Sequence, residues 1–183
     1  NNDIDVIVTN NSTLERNQKI FNVSASSLTG SSITIHLGSS VIAETNSIFS
    51  NGAELTITNT GTIEATNSKA INVSNSDGVS ITNNNNGVIK SNNNTILGDA
   101  GTGADNVTID NSGEIYTTAT GTESSAIVFA NNDTGNTITN NSGGEIYSSG
   151  SESTIVLGVS STLTNSGSIK NNKSVTNKAI QLK

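Results

Sequence analysis

Few residues of this 183-residue chain have side chains suited to acid–base chemistry, and the sequence scatters them. The single histidine, His36, lies in TIHLG with no carboxylate or serine motif at a useful spacing. The single arginine, Arg16, falls in a charged stretch near the amino end. The chain has no GxSxG, no HExxH and no phosphate-binding glycine loop. General acid–base catalysis needs clustered carboxylates with a basic group nearby, so we expect a protein that is not an enzyme.

One segment is a candidate cation site. DAGTGAD, from Asp99 to Asp105, brings together two carboxylates and several backbone carbonyls, which are the ligands that calcium takes. The segment lacks the nonapeptide register of calcium-binding β-helices and the spacing of an EF-hand. We therefore expect a plain acidic loop, with calcium near Asp99 and Asp105 as the alternative, and no other cofactor or metal.

The most distinctive side chains occur in two copies of one short segment, GEIYT and GEIYS. If Ile115 and Ile146 point into a core on neighbouring strands, the flanking side chains point outward and like residues stack. This outward set is Glu114, Tyr116, Glu145 and Tyr147. Stacked tyrosines would offer a flat amphipathic platform for a sugar or a partner protein, and the glutamates would repel each other without a cation or ligand group between them. The alternative is an aromatic pair that only stabilises the sheet.

The composition limits the fold and the partners. Only 31% of the residues are hydrophobic and 3% aromatic, and the chain has no Pro, Cys, Met or Trp. Such a polar chain is typical of disorder unless it is periodic. The net charge of −7 leaves no basic stripe for nucleic acid or anionic lipid. No apolar run approaches the roughly 18 residues of a membrane span, so we expect no membrane insertion by this chain.

An internal repeat argues against disorder. Five segments share a pattern of Thr or Ser, Ile or Leu, Thr or Asp, then Asn, a short insert, Gly, any residue and Ile. They are LTITNTGTIEAT (55–66), VSITNNNNGVIKS (79–91), NVTIDNSGEIYT (106–117), NTITNNSGGEIYS (136–148) and STLTNSGSIKN (161–171). A second apolar element follows each copy, as in KAINV (69–73) and KAIQL (178–182). Within a copy, apolar and polar residues alternate in three short bursts, which indicates three short strands.

Three strands per turn of varying length predict an all-β, single-stranded parallel β-helix (a β-solenoid) of about six coils. The predicted coils are 31–54, 55–78, 79–105, 106–135, 136–160 and 161–183. Residues 1–30 carry no clear copy and are expected to form an N-terminal cap or an irregular first coil.

One polar column should mark a corner of every coil. Asparagine recurs at the end of the first strand, at Asn59, Asn83, Asn111, Asn140 and Asn165. Stacked amides can hydrogen-bond along the rod, and asparagine also tolerates a left-handed backbone. A glycine closes the same corner, where a positive φ or a close backbone approach would exclude a side chain. These glycines are Gly61, Gly87, Gly113, Gly144 and Gly167.

Two further features suggest other roles. One face carries pairs of Ser or Thr, such as Thr56 with Thr58, which resemble the arrays of ice-binding solenoids, although Ser80 and Asp110 interrupt the pattern. At the carboxyl end, a third strand is expected over Ala179, Ile180, Gln181 and Leu182. We expect its edge to be covered by further coils or by another molecule.

The copies ITNTGTI, IDNSGEI, ITNNSGGEI and LTNSGSI resemble the Asn-Ser-Gly-rich repeats of autotransporter passenger domains and related secreted bacterial β-helix adhesins. The similarity covers about residues 31–183. It implies a right-handed β-helix at the bacterial cell surface or secreted from it, and the absence of cysteine fits export in an unfolded form.

The leading functional expectation is an adhesin whose Glu and Tyr side chains, or whose loops, contact carbohydrate or protein on a cell surface. The alternative is a structural subunit that assembles head to tail with copies of itself into an extracellular filament. A minor alternative is ice binding.

Overall fold

The computed structural model describes residues 3–9, 11–24, 30–52, 54–98, 103–173 and 178–182. The described residues form strands, turns and loops without any helix, and hence have no helix long and apolar enough to cross a bilayer. Their 21 strands form three parallel sheets of seven strands each. The predicted all-β parallel solenoid with three strands per coil is confirmed.

Each sheet takes every third strand of the chain. Sheet A contains β1 (Asp5–Val8), β4 (Ser31–Ile35), β7 (Leu55–Asn59), β10 (Ser80–Asn83), β13 (Thr108–Asn111), β16 (Thr137–Asn140) and β19 (Thr162–Asn165). Sheet B contains β2 (Thr13–Arg16), β5 (Ser40–Ala43), β8 (Thr62–Ala65), β11 (Val88–Ser91), β14 (Glu114–Thr117), β17 (Glu145–Ser148) and β20 (Ser168–Asn171). Sheet C contains β3 (Phe21–Val23), β6 (Ile48–Ser50), β9 (Ile71–Asn72), β12 (Ile96–Leu97), β15 (Ile127–Val128), β18 (Ile155–Leu157) and β21 (Ile180–Leu182).

The coils stack in register, so that equivalent residues of the repeat form columns. Ile57 pairs with Ile81, Ile81 with Ile109, and Ile109 with Ile138. Residues 5–23 supply a coil ahead of the six expected ones, because β1, β2 and β3 pair with β4, β5 and β6. The right-handed sense of the coil stays a prediction.

The core is a narrow column of aliphatic side chains inside the three sheets. In one coil, Ile57 of sheet A, Ile63 of sheet B and Ile71 of sheet C are all fully buried. Burying one such side chain stabilises the fold by roughly 1.5–3 kcal/mol. Since each coil needs only a few of them and the outward positions of sheet A from β4 to β19 are all Ser, Thr or Asp, a chain of low apolar content folds.

Asparagine forms the predicted ladder along one corner. The Nδ2 atom of each amide donates to the Oδ1 atom of the next, from Asn59 through Asn83, Asn111 and Asn140 to Asn165, at 2.8 Å each time. The first four of these side chains are fully buried. Hydrogen bonding therefore accounts for the column.

The second reason expected for these asparagines, a left-handed backbone, is wrong. None of the ladder asparagines has a positive φ, and the left-handed residues of this corner lie in its loops: Asn11 (φ 55°), Gly38 (φ 79°), Asn86 (φ 67°) and Gly143 (φ 87°). The corner glycines have no positive φ either, and they are required by close approach. A Cβ on Gly113 would lie 2.2 Å from the carbonyl oxygen of Gly87.

We predict that Asn111→Ala destabilises the protein by about 2–4 kcal/mol, because it removes one buried amide with its hydrogen bonds and takes from the buried Asn140 oxygen its ladder donor. Chemical denaturation followed by circular dichroism measures the change. The matched control is Asn85→Ala in the exposed loop of the same corner, which should change the free energy of unfolding by less than about 0.5 kcal/mol. Equal effects of the two substitutions would show that the ladder does not stabilise the rod.

Candidate functional site

The structure brings the four outward residues of the GEIYT and GEIYS segments together on sheet B. Strands β14 and β17 pair so that Glu114 lies beside Glu145 and Tyr116 beside Tyr147. The isoleucines between them are fully buried and fix which side chains face outward. We call this surface the Glu–Tyr face, and it consists of Glu114, Tyr116, Glu145 and Tyr147.

The two tyrosine rings stack against each other. Their centroids are 4.6 Å apart and their planes differ by 6°. The rings therefore do not lie side by side as a flat platform, because each uses one face to cover the other. The free face of Tyr116 is on the side of β11, and the free face of Tyr147 is on the side of β20.

Groups of the chain itself offset the charges of the two glutamates. The Tyr147 hydroxyl donates a hydrogen bond to Oε2 of Glu114 at 3.2 Å, and the Lys170 ammonium lies 3.8 Å from Oε1 of Glu145. Partial burial, followed by the negative charge of Glu114, raises the pKa of Tyr147 far above its ordinary value of 10.0. The hydrogen bond to Tyr147 and the contact with Lys170 thus give each carboxylate a partner within the chain.

Lysines flank the tyrosines in the same outward column. Lys90 lies beside Tyr116, and Lys170 lies beside Tyr147. The ammonium of Lys90 is 3.0 Å from Oε2 of Glu64, on the coil beyond it. The ammonium of Lys90 is thus directed to Glu64, while Lys90 itself lies next to the Tyr116 ring face that Tyr147 does not cover.

Two grooves border the Glu–Tyr face. The smaller has a volume of about 290 Å³ and runs beside Tyr116, Lys90 and Glu64 to an exposed row of Thr66, Asn92 and Thr118. The larger, of about 660 Å³, lies between the corner loops and is lined by residues that include Asn86, Ser142, Glu114 and Glu145. The column of Glu64, Lys90 and Tyr116 forms one side of the smaller groove, and the exposed row forms the other.

A buried threonine that the sequence analysis did not single out positions Tyr116. The Thr95 hydroxyl donates to the backbone carbonyl of Tyr116 at 2.7 Å and is 3.0 Å from the hydroxyl of Ser91. Ser47 and Thr154 make the equivalent bonds to the carbonyls of Glu64 and Lys170. The signal in the sequence is a Ser or Thr one residue before the sheet C isoleucine, which is present at Ile48, Ile96 and Ile155 and replaced by Ala at Ile71, Ile127 and Ile180.

The other sequence candidates are not brought together. His36 and Arg16 are exposed and lie apart from the Glu–Tyr face. Asp99 falls outside the described residues, and Oδ1 of Asp105 accepts the backbone N–H of Thr134 at 2.6 Å. Within the described ranges, no three His, Cys, Asp or Glu side chains are grouped so that they could hold a metal.

Hydroxyls form two outward columns on sheet A. Thr56 and Thr58 align with Ser32 and Thr34 on one side and with Ser80 and Thr82 on the other. Asp110 interrupts the second column, and the Asn141 amide donates to its carboxylate. Ice binding by these columns stays a prediction.

The predicted edge strand is present at the carboxyl end. Strand β21 pairs with β18, with Ile180 beside Ile155 and Leu182 beside Leu157. The side chains of Ile180 and Leu182 continue core columns yet are 38% and 77% exposed.

We predict that Tyr147 ionises well above pH 10 in a Tyr116→Phe background, where it is the only tyrosine. A raised phenol pKa stabilises the native state below the unfolded pKa, and this contribution is lost as the pH rises through the folded value. Ultraviolet absorbance of the phenolate measures the titration. Adding Glu114→Gln should lower the pKa in part, since burial remains, and Glu145→Gln should lower it less. Titration at the same pH as in the denatured chain would contradict the geometry.

Compared with models of known protein families, with curated proteins and with solved structures, the chain matches none. Solenoids are scaffolds, and function resides in the side chains that particular coils add to them. In the part of this chain that the structure describes, the Glu–Tyr face is the candidate for such an addition.

Proposed function

We propose that this protein is a non-catalytic, extracellular adhesive scaffold of the passenger type, which attaches to carbohydrate or protein on a cell surface. The observation that carries the proposal is the stacked tyrosine pair on an outward sheet face, with glutamates beside it and a lysine at each end of the stack. Tyrosine provides contact area at a low entropic cost and a hydroxyl for hydrogen bonding, which is why it is enriched at recognition surfaces.

The scaffold supports this role because it holds the face rigidly. Seven coils at about 4.8 Å each make a rod on the order of 30 Å long. The backbone of Tyr116 is fixed by its strand pairing and by the Thr95 hydroxyl. Little entropy is then lost when a ligand orders the face, and more of the contact energy appears as affinity.

The test is binding to whole cells and to immobilised surface glycans and proteins. We expect the double variant Tyr116→Ala and Tyr147→Ala to bind at least about tenfold more weakly, since central aromatic residues dominate recognition surfaces. The matched control is Thr58→Ala with Thr82→Ala, two outward substitutions on sheet A that should leave binding unchanged. If the folded double tyrosine variant binds as well as the unmodified chain, the Glu–Tyr face is not the binding surface.

A second candidate function is head-to-tail assembly into a filament. Two observations favour it. The side chains of Ile180 and Leu182 in β21 continue core columns but are exposed. In the outward column of sheet B, Glu15 in the first coil and Lys170 in the last coil carry opposite charges. Two copies meeting in register would stack Lys170 on Glu15 in the same way that Lys90 meets Glu64. Such a contact is heterologous and propagates.

Light scattering over a wide concentration range tests the filament. The backbone N–H of Ile155 donates to the carbonyl of Ala179, so the alternate residue Ile180 faces the other side of β21. Ile180→Pro should therefore stop any rise in mass with concentration, because it removes a donor from that side. Asn85→Ala, in a mid-rod loop, should not stop it. A constant monomer mass for the unmodified chain would exclude this function.

A further inference from the structure

The two tyrosines concentrate the oxidisable groups of the chain at one place. The chain has no cysteine and no methionine, which are the side chains that common oxidants attack first, and it has no tryptophan. Its two tyrosines belong to different coils, yet they are direct neighbours on sheet B. Both side chains are partly exposed, so an oxidant in solution reaches them. A radical formed on one ring is therefore formed beside the other.

The stacking arranges the rings for a coupling reaction. Strands β14 and β17 pair in register, so Tyr116 and Tyr147 leave the sheet in the same direction. With ring centroids 4.6 Å apart and planes 6° from parallel, like carbons of the two rings face each other. Phenoxyl radicals join through the π faces of their Cε carbons, which is the direction in which these rings meet. Because both reactants are held together, a bimolecular encounter becomes a unimolecular step.

The Glu–Tyr face also holds an acceptor for a proton that oxidation releases. The Tyr147 hydroxyl donates to Oε2 of Glu114 at 3.2 Å. Partial burial and the charge of Glu114 raise the pKa of this phenol, so the ring is neutral at pH 7 and loses its proton when it loses an electron. The Glu114 carboxylate takes that proton at the hydrogen-bonded oxygen. The partly exposed Tyr116 releases its proton to water.

We propose that Tyr116 and Tyr147 form an oxidative cross-linking site, at which a haem peroxidase with hydrogen peroxide joins the two rings as dityrosine. The product is a covalent bond between β14 and β17 in a chain that has no cysteine for a disulfide. The reaction requires no cell-surface ligand, so this inference goes beyond the adhesive function and does not depend on it.

The atoms and electrons of the reaction balance. Each tyrosine loses one electron and its phenolic proton, and a bond forms between one Cε carbon of each ring. The hydrogens of these two carbons then move to the oxygens, which restores both phenols. Hydrogen peroxide takes up the two electrons and two protons and becomes two molecules of water.

The experiment treats the full chain, at low concentration, with hydrogen peroxide and a haem peroxidase. We expect the intact mass of the monomer to fall by the mass of two hydrogen atoms and the fluorescence of dityrosine to appear. A protease that cleaves after glutamate should then release residues 115–123 and 146–152 as one linked product. Because the link closes a loop in the unfolded chain, it should also raise the denaturant concentration at the unfolding midpoint.

The matched control is the double variant Tyr147→Phe with Thr56→Tyr, which keeps two tyrosines but puts them on different sheets. It should form no link within one chain. In a separate variant, Glu114→Gln keeps an oxygen for the hydrogen bond but removes the base, so it should slow the cross-linking of Tyr116 with Tyr147 by at least about tenfold. A circular dichroism spectrum like that of the unmodified chain will show that each variant is folded.

Three results would overturn the inference. The first is a link found only between different chains, as covalent dimers, because the stack would then not direct the coupling. The second is a link within the control variant at the same rate as in the unmodified chain. The third is an unchanged mass under conditions in which free tyrosine couples. An undiminished rate with Glu114→Gln would overturn the role of that carboxylate alone, and none of these results bears on attachment to cells.

Discussion

A buried amide-to-amide hydrogen bond, repeated from coil to coil at one corner, fixes the register on which the rest of the molecule depends. Each ladder Nδ2 also reaches backbone carbonyls, as Asn111 does with the carbonyl of Gly113 at 3.1 Å. A slip of one residue would bury isoleucine against these amides and turn the core side chains outward. Because the register cannot slip, the tyrosine, threonine and lysine columns lie where the repeat puts them.

Much of the fold can be predicted from the sequence, because equivalent positions of successive repeats become neighbours in the structure. Once Ile57 and Asn59 are aligned with their counterparts, strand pairing, the ladder and the outward direction of Tyr116 and Tyr147 can all be predicted. The coil formed by residues 5–23 was harder to recognise, since Val8 and Ile35 precede Asn59 in its column and no asparagine marks that corner.

The orientation of individual side chains could not be predicted from the repeat pattern. The sequence places Lys90 between Glu64 and Tyr116, and either neighbour offers the ammonium a favourable contact. Competition among neighbouring side chains decides three features: the ion pair of Lys90 with Glu64, the face-to-face stack of the tyrosines and the hydrogen bond from Thr95. The groove beside Tyr116 results from these choices, so a column pattern alone does not reveal it.

The direction of the inter-coil hydrogen bonds has a mechanical consequence. These bonds run parallel to the rod axis, both in the backbone ladders and in the asparagine ladder. A force that pulls on the outermost strand therefore acts first on the bonds between the last two coils, and on the next row only after those have broken. Such a rod peels coil by coil and does not have to break all rows at once. Consider such a rod held at one end and bound to a surface through its side. Each coil that unfolds would lengthen the connection by some two dozen residues at roughly 3.3–3.6 Å per residue. Unfolding of the outer coils would then absorb work while the bound face stays folded.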